Sequence, residues 1–237
     1  MISPEEGYMK KAIFLIMMLS FSGGAFCGPF GACGQTVFKY VHGMADGSAY
    51  QSTTEYFVSD SSSSGYSHLD PYSKWEVESA SDGKPVMISY AEGKDCVVLH
   101  FDGSGNVVMT GTWKGEDVAE HGRFSPSVTL ENMTVVRSLD FESGEKVEFD
   151  LLQVSEFPGL TPYEMYFQVV GRETVSVPAG TFDCRKVLFS LVGFRGMFYK
   201  AYYYVTDDDR RYVVKMENMP RGGHTELVAV GNPSEND

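Results

Sequence analysis

The sequence is short of the features by which a catalyst or a nucleic-acid binder usually declares itself. It has four cysteines, Cys27, Cys33, Cys96 and Cys184. No two of them form a C-x-x-C pair, so zinc ribbons and thioredoxin-like redox motifs lose support. The five histidines, His42, His68, His100, His121 and His224, are scattered with no H-x-H or H-E-x-x-H. Zinc sites draw close ligands from one element and others from afar, so core or exposed histidines are the expected reading. The nucleophile elbow G-x-S-x-G is absent; Gly65-Tyr66-Ser67-His68-Leu69 comes nearest and lacks the last glycine. Asp102, Ser104 and Asn106 alternate like the start of a calcium loop. The sixth position is Val107 where glycine is needed, and the twelfth is Trp113 where glutamate is needed. A hairpin turn explains the same residues. Phosphate-binding glycine motifs are missing. No enzyme, cofactor or metal is expected on these grounds.

Basic residues are also scarce. Lys and Arg number 19 against 32 Asp and Glu, a formal charge of −13. Nucleic-acid binding depends on Lys and Arg neutralising phosphates, so no nucleic-acid partner is expected. The acidic residues form no long block, and a net charge far from zero keeps a protein dispersed.

Only one long apolar run is present, and it lies at the N-terminus. Met9-Lys10-Lys11 is a charged start, Ala12 to Ser20 is almost wholly apolar, and Ser22, Gly23, Gly24 and Ala25 are small. That order is the pattern of a secretory signal peptide. The run is shorter than the ~20 residues a membrane-spanning helix needs. Glu5 and Glu6 do not suit a signal n-region, which makes Met9 an alternative start. Cleavage is expected near Ala25 or Cys27. Cys27 raises lipidation as an alternative, although Phe26 and Gly24 depart from the usual lipobox. The chain divides into a signal peptide over 1–27, a Gly/Cys-rich segment over 28–35, one all-β domain over 36–231 and a polar tail over 232–237.

Beyond the signal, the periodicity is that of strands. Val147, Phe149 and Leu151 alternate with Lys146, Glu148 and Asp150, and Tyr212, Val214 and Met216 stand in a looser version of the pattern. Period-two alternation puts one face on a core and the other in water. Asp82-Gly83, Asp102 to Asn106, Gly193 to Gly196 and Asp207 to Asp209 separate these runs with turn chemistry. The pattern predicts an all-β meander, barrel or sandwich behind a signal-peptide helix. Ser59 to Ser64 and Phe157 to Pro162 read as irregular connections. Cys96 and Cys184 each sit beside a strand-like run, as small buried hydrophobes or as partners in a disulfide.

From Val169 the sequence runs Val-Val-Gly-Arg-Glu-Thr-Val-Ser-Val-Pro-Ala-Gly-Thr-Phe-Asp-Cys-Arg-Lys-Val. This resembles a family of uncharacterised bacterial envelope proteins in which a G-x-E-x-V-x-V-P-A-G-T-F hairpin precedes long antiparallel strands. Those proteins look like the lipoprotein-carrier (LolA-like) half-barrel. The match covers mainly the C-terminal third. It implies a curled antiparallel sheet or half-open β-barrel with an apolar concave face, a periplasmic location or one on the periplasmic face of the outer membrane of a Gram-negative bacterium, and binding of a lipid or lipoprotein acyl chain. It carries over no catalytic residue.

The aromatic residues Phe198, Tyr199, Tyr202, Tyr203 and Tyr204 are the candidate ligand-binding positions, on both faces of one strand. Aromatics favour strands in any case, and cross-strand pairs stabilise sheets by ~0.2–1 kcal/mol, so ordinary packing is one account. The other is that one face lines an apolar groove or meets a partner, where tyrosine offers an apolar body and a polar tip. Three functions remain open: an acyl-chain binder, with peripheral membrane association; a structural module pairing with another envelope protein; and a hydrolase whose residues gather from distant strands.

Overall fold

Alternating side chains and polar turns divide the described residues into fifteen strands, which join in one sheet. The computed structural model describes residues 34–58, 63–80, 85–123, 128–129, 136, 139–152, 162–218 and 222–231. The signal peptide, Cys27 and Cys33, the Asp82-Gly83 turn and the polar tail lie outside the described residues, as do 59–62 and 157–161 of the two irregular connections. Ser63 and Ser64 are strand, and Pro162 opens another strand.

Eight strands follow one another as an antiparallel meander: β1 (Gly34–Gly43), β2 (Ala49–Val58), β3 (Ser63–Leu69), β4 (Ser73–Ala80), β5 (Pro85–Glu92), β6 (Asp95–Phe101), β7 (Asn106–Trp113) and β8 (Glu116–Arg123). A second series comprises β9 (Val128–Thr129), β10 (Lys146–Leu152), β11 (Pro162–Val177), β12 (Gly180–Leu191), β13 (Lys200–Thr206), β14 (Val213–Asn218) and β15 (Gly223–Gly231). All neighbours pair antiparallel except the short β9, which lies parallel to β10. The first and last strands, β1 and β15, pair in the middle and join the two series. The order begins at β8 and ends at β9, so the barrel is not closed.

The sheet is strongly curled. The backbone of β11 comes within 8 Å of β14 and β15, three and four places away in the order; a flat sheet would hold them roughly 14 and 19 Å apart. One face of the strands therefore turns inward. Phe38, Thr54, His68, Trp75, Tyr90, Val97 and Gly111 form a continuous cross-strand row. Val169, Val187, Tyr203, Met216, Thr225, His42 and Tyr50 form a second. The inward residues make one apolar cluster spanning both series. Leu99, Met109, Phe167 and Phe189 are fully enclosed in it, and each such side chain contributes about 1.5–3 kcal/mol by leaving water.

The G-x-E-x-V-x-V-P-A-G-T-F segment is the β11–β12 hairpin, with Val177 opposite Gly180. A bulge between Val169 and Gly171 bends it, as bulges do by adding an unpaired residue to one strand. The bent tip folds back onto β15, where the Ala179 N–H donates to the Leu227 carbonyl at 3.0 Å.

Two expected features differ. The strand foreseen over Met197 to Thr206 begins only at Lys200, and Gly193–Met197 is a 3₁₀ segment. Ser190 fixes this crossing by donating its hydroxyl to the Tyr199 carbonyl at 2.8 Å. Glycine is required at 196, where a Cβ would lie 2.6 Å from the Leu191 carbonyl oxygen. In β14 the alternation is broken, because Val213 and Val214 are both buried beside a bulge in the β13–β14 ladder.

The turns at 44–48, 70–72, 93–94, 114–115 and 192–199 lie at one end of the strands, the upper rim. Those at 102–105, 178–179 and 207–212 lie at the lower rim. There Leu139 and Phe141 pack on the core. Arg185, on the inner face of β12, holds their segment: Nε donates to Asp207 Oδ1 at 2.8 Å, Nη1 to the Phe141 carbonyl at 3.2 Å, and Nη2 to Glu142. Arg185→Ala is expected to lower unfolding free energy by about 2–3 kcal/mol, because the Phe141 carbonyl loses its guanidinium donor and Asp207 loses the nearer of its two arginines, Arg172 remaining at 3.5 Å. Glu142→Gln, at an exposed carboxylate, is expected to change it by less than about 1 kcal/mol. Urea midpoints of the two variants give the comparison, and equal shifts would count against this role.

Candidate functional site

The inward face is apolar except for Arg185 at the lower rim and one band below the upper rim. Register puts His42 opposite Thr225 on one side and Tyr50 on the other, and it puts Thr54 opposite His68. His42 Nδ1 lies 2.9 Å from Thr225 Oγ1 and Nε2 lies 2.6 Å from Ser52 Oγ, so one imidazole joins β15, β1 and β2. Its ring stacks on Tyr50 at 4.7 Å. Thr54 Oγ1 is 2.7 Å from His68 Nδ1. Asp70, in the β3–β4 turn, accepts hydrogen bonds from the Tyr72 and Ser73 N–H groups and from the Ser73 hydroxyl at 2.6, 2.8 and 2.9 Å. All of these except the partly buried Tyr50 and the exposed Tyr72 are buried. On the outer surface of the same region the His224 ring lies directly over Gly43, where any Cβ would collide with it.

The electrostatics keep the band's two imidazoles neutral. Burial, with His68 and His224 nearby, pulls the His42 pKa down to about 3. Burial lowers that of His68 to about 4 against the opposing pull of Asp70. Burial, then Asp70 and Tyr72, push the Tyr50 phenol upward. A neutral imidazole offers one donor and one acceptor. The band does not use all of its capacity. His68 Nε2, Trp75 Nε1 and both amide atoms of Asn218 are buried without a hydrogen-bond partner. Such a group costs about 1–3 kcal/mol when left unsatisfied, so its recurrence along one face calls for a reason.

The five aromatic positions do not form one surface. Tyr199 and Tyr203 turn inward, edge-on to Phe189 at 5.8 and 5.6 Å. Tyr202 and Tyr204 lie on the outer face beneath the Lys186 ammonium, 4.8 and 5.1 Å from their ring centres. Tyr204 also donates to Glu217 Oε2 at 2.8 Å. Phe198 lies beyond the strand, exposed beside Phe194. Cys96 and Cys184 are not joined: both thiols are free, one exposed on β6 and one buried on β12, nine places apart in the strand order. Cys184 is the small buried hydrophobe of the two, with burial first and then nearby carboxylates raising its pKa to about 12.

Sequence reasoning missed His42 and His68 as a pair. The signal was present for the first of them. Phe38, Tyr40 and His42 fall at alternate positions of β1, so His42 shares the apolar face, but its partners lie on other strands. Among the described residues no three His, Cys, Asp or Glu side chains gather as a metal site. An open depression of about 310 Å³ on the outer face of β14 and β15 is lined by charged and polar groups, among them Lys215, Glu217, His224 and Glu226. None of its lining residues carries a hydrophobic side chain.

No family model matches the chain, and no curated protein matches it. Solved structures do. A β-barrel-like protein of the domain of unknown function DUF1849 from Brucella abortus superposes with a TM-score of 0.53 at 8% identity, over 85% of this chain and 98% of that one. A candidate exported protein with a YmcC-like fold from Bacteroides fragilis gives 0.36 at 15%, over 83% and 95%. A candidate outer-membrane lipoprotein-sorting protein domain from Vibrio parahaemolyticus gives 0.26 at 9%, over 86% and 87%. The first of these likenesses shows the fold, a β-barrel-like sheet of nearly the same extent.

Proposed function

We propose that the chain is a non-enzymatic protein of the bacterial cell envelope that holds an amphiphile, an acyl chain with a polar head, on the concave face of its half-barrel. One observation carries the reading: unspent hydrogen-bonding capacity at His68 Nε2, Trp75 Nε1 and Asn218, on a face whose remaining lining is largely aromatic and aliphatic; all three are enclosed by that lining, so the head group meets them only when the inner face opens. Apolar sites with a few placed polar groups are the usual form of a small-molecule site. The open seam between β8 and β9 gives the tail a way in, since no ladder hydrogen bonds close it. An envelope location rests on the signal-peptide pattern of Met9 to Ala25.

Catalysis fits the same residues less well. Thr54, His68 and Asp70 look like a hydroxyl, an imidazole and a carboxylate in relay. His68 Nε2 to Asp70 Oδ2 is 3.8 Å, however, beyond hydrogen-bond reach.

Native mass spectrometry of protein purified from its envelope fraction, followed by solvent extraction, tests the reading. A discrete lipid or acyl-bearing mass is expected, with its occupancy falling about fivefold or more in Trp75→Phe, which keeps the ring and deletes the donor. A bare protein mass from freshly isolated material would transfer weight to the partner-binding role.

A further inference from the structure

Among the described residues, every exposed large hydrophobic that is not a valine lies at the upper rim. Leu69 and Tyr72 flank the β3–β4 turn, and Phe194, Met197 and Phe198 stand on the 3₁₀ crossing, all between 55% and 72% exposed. The exposed valines, in contrast, are dispersed singly along strands. Phe194 and Phe198 pack edge-to-face at 6.4 Å, so they project as one unit. Charge is divided the same way. The upper turns and the residues beside them present Lys94, Lys114, Arg195 and Lys200 against Asp46, Glu92, Asp95 and Glu116, a balance of charge, Asp70 being buried. The lower end presents Asp102, Asp140, Glu142, Glu145 and Asp207 to Asp209 against Arg210 and Arg211. A chain of net charge −13 thus keeps its most apolar and least acidic surface at one end.

We infer that the upper rim docks on a lipid bilayer bearing anionic headgroups. Phe194, Met197 and Phe198 enter the boundary between headgroups and acyl chains, Leu69 and Tyr72 make a second point of entry, and Lys94, Lys114 and Arg195 rest among the phosphates. Apolar side chains at the boundary combined with cations on anionic lipid are how peripheral proteins hold a membrane surface. The two points are five strand spacings apart in the sheet, about 24 Å along its arc. Two prongs at that separation fix the barrel axis across the membrane plane, and a fluid surface receives them without matching their shape. This inference stands apart from ligand binding on the concave face and does not depend on it.

Vesicle flotation of the full chain decides the matter. The probes are vesicles of phosphatidylethanolamine and phosphatidylglycerol at roughly 3:1, in about 0.1 M salt. The comparison protein is Phe194→Ser/Met197→Ser/Phe198→Ser, altered only at exposed positions and carrying the same N-terminus. The inference expects the triple variant to lose about tenfold or more of its partition coefficient while its thermal melting is unchanged. It also expects Lys94→Glu/Arg195→Glu to weaken binding to these vesicles but not to pure phosphatidylcholine. Equal flotation of the native and triple-variant proteins would overturn it. So would a dimer in sedimentation that the triple substitution dissociates, with no flotation of either protein.

Discussion

Phe189→Ala is expected to lower the free energy of unfolding by about 3–5 kcal/mol, the usual cost of truncating an enclosed phenylalanine whose surroundings cannot collapse. Phe189 is fully buried and meets four rings: Phe149 at 6.3 Å, Phe167 at 4.9 Å, Tyr199 at 5.8 Å and Tyr203 at 5.6 Å. These come from β10, β11 and β13 and from the segment entering β13, so no single neighbour can move into the space without leaving another contact. The readout is the midpoint of urea unfolding at unchanged slope. Phe189→Leu, which keeps most of the volume, is expected to cost less than half as much. A loss below about 1 kcal/mol for the alanine variant would mean that the aromatic cluster is looser than its ring geometry indicates.

Acid is expected to destabilise the protein well before its carboxylates titrate. His42 and His68 carry folded pKa values of about 3 and about 4 against an ordinary 6.5. Between those values and 6.5 the unfolded chain binds protons that the folded chain refuses, so stability is complete above pH 6.5 and falls as the pH drops toward 4. At pH 5 each histidine accounts for about 2 kcal/mol, and the pair for about 4. The depressed carboxylates Asp208 and Glu217 act in the same direction only at lower pH. Chemical unfolding at pH 7 and pH 5 measures the difference. Replacing both imidazoles, in His42→Gln/His68→Gln, should remove most of it whatever that variant's own stability. Equal unfolding free energies at the two pH values would show that water reaches the rings.

Both expectations rest on contacts that local sequence reads poorly. What was legible was short in range. Asp102 to Asn106 is a turn because Asp102 Oδ1 accepts from the Ser104 N–H at 2.8 Å and the Asn106 N–H at 3.1 Å, chemistry contained within the motif. The Pro178-Ala179-Gly180 turn and the alternation before and after it announced the longest hairpin in the same way. The all-β class followed from such pieces, and the curled antiparallel sheet or half-open β-barrel from the resemblance carried by the segment from Val169. The site did not. His42 and Thr225 are 183 positions apart, and their meeting depends on a pairing that no local pattern encodes. The run Met197 to Tyr204 misled because β propensity does not say where a strand begins: a Ser190 hydroxyl and a constrained Gly196 end the 3₁₀ crossing and set the register. That register sends Tyr203 inward and Tyr202 and Tyr204 to the lysine-lined exterior.

The pairing of β1 with β15 has a consequence in time. Each series of strands is built mostly from neighbours in sequence, so each can zip locally. The seam between them cannot, because it closes a loop of nearly the whole domain, and closure entropy is spent before any contact at the seam returns it. Until the last strand arrives, β1 presents an unpaired hydrogen-bonding edge with Phe38 and Tyr40 beside it. A chain halted short of Gly223 would hold that edge open indefinitely, and an exposed apolar edge is a template for pairing with another chain. The interval between emergence of the first strand and the last is therefore when this protein most needs a chaperone.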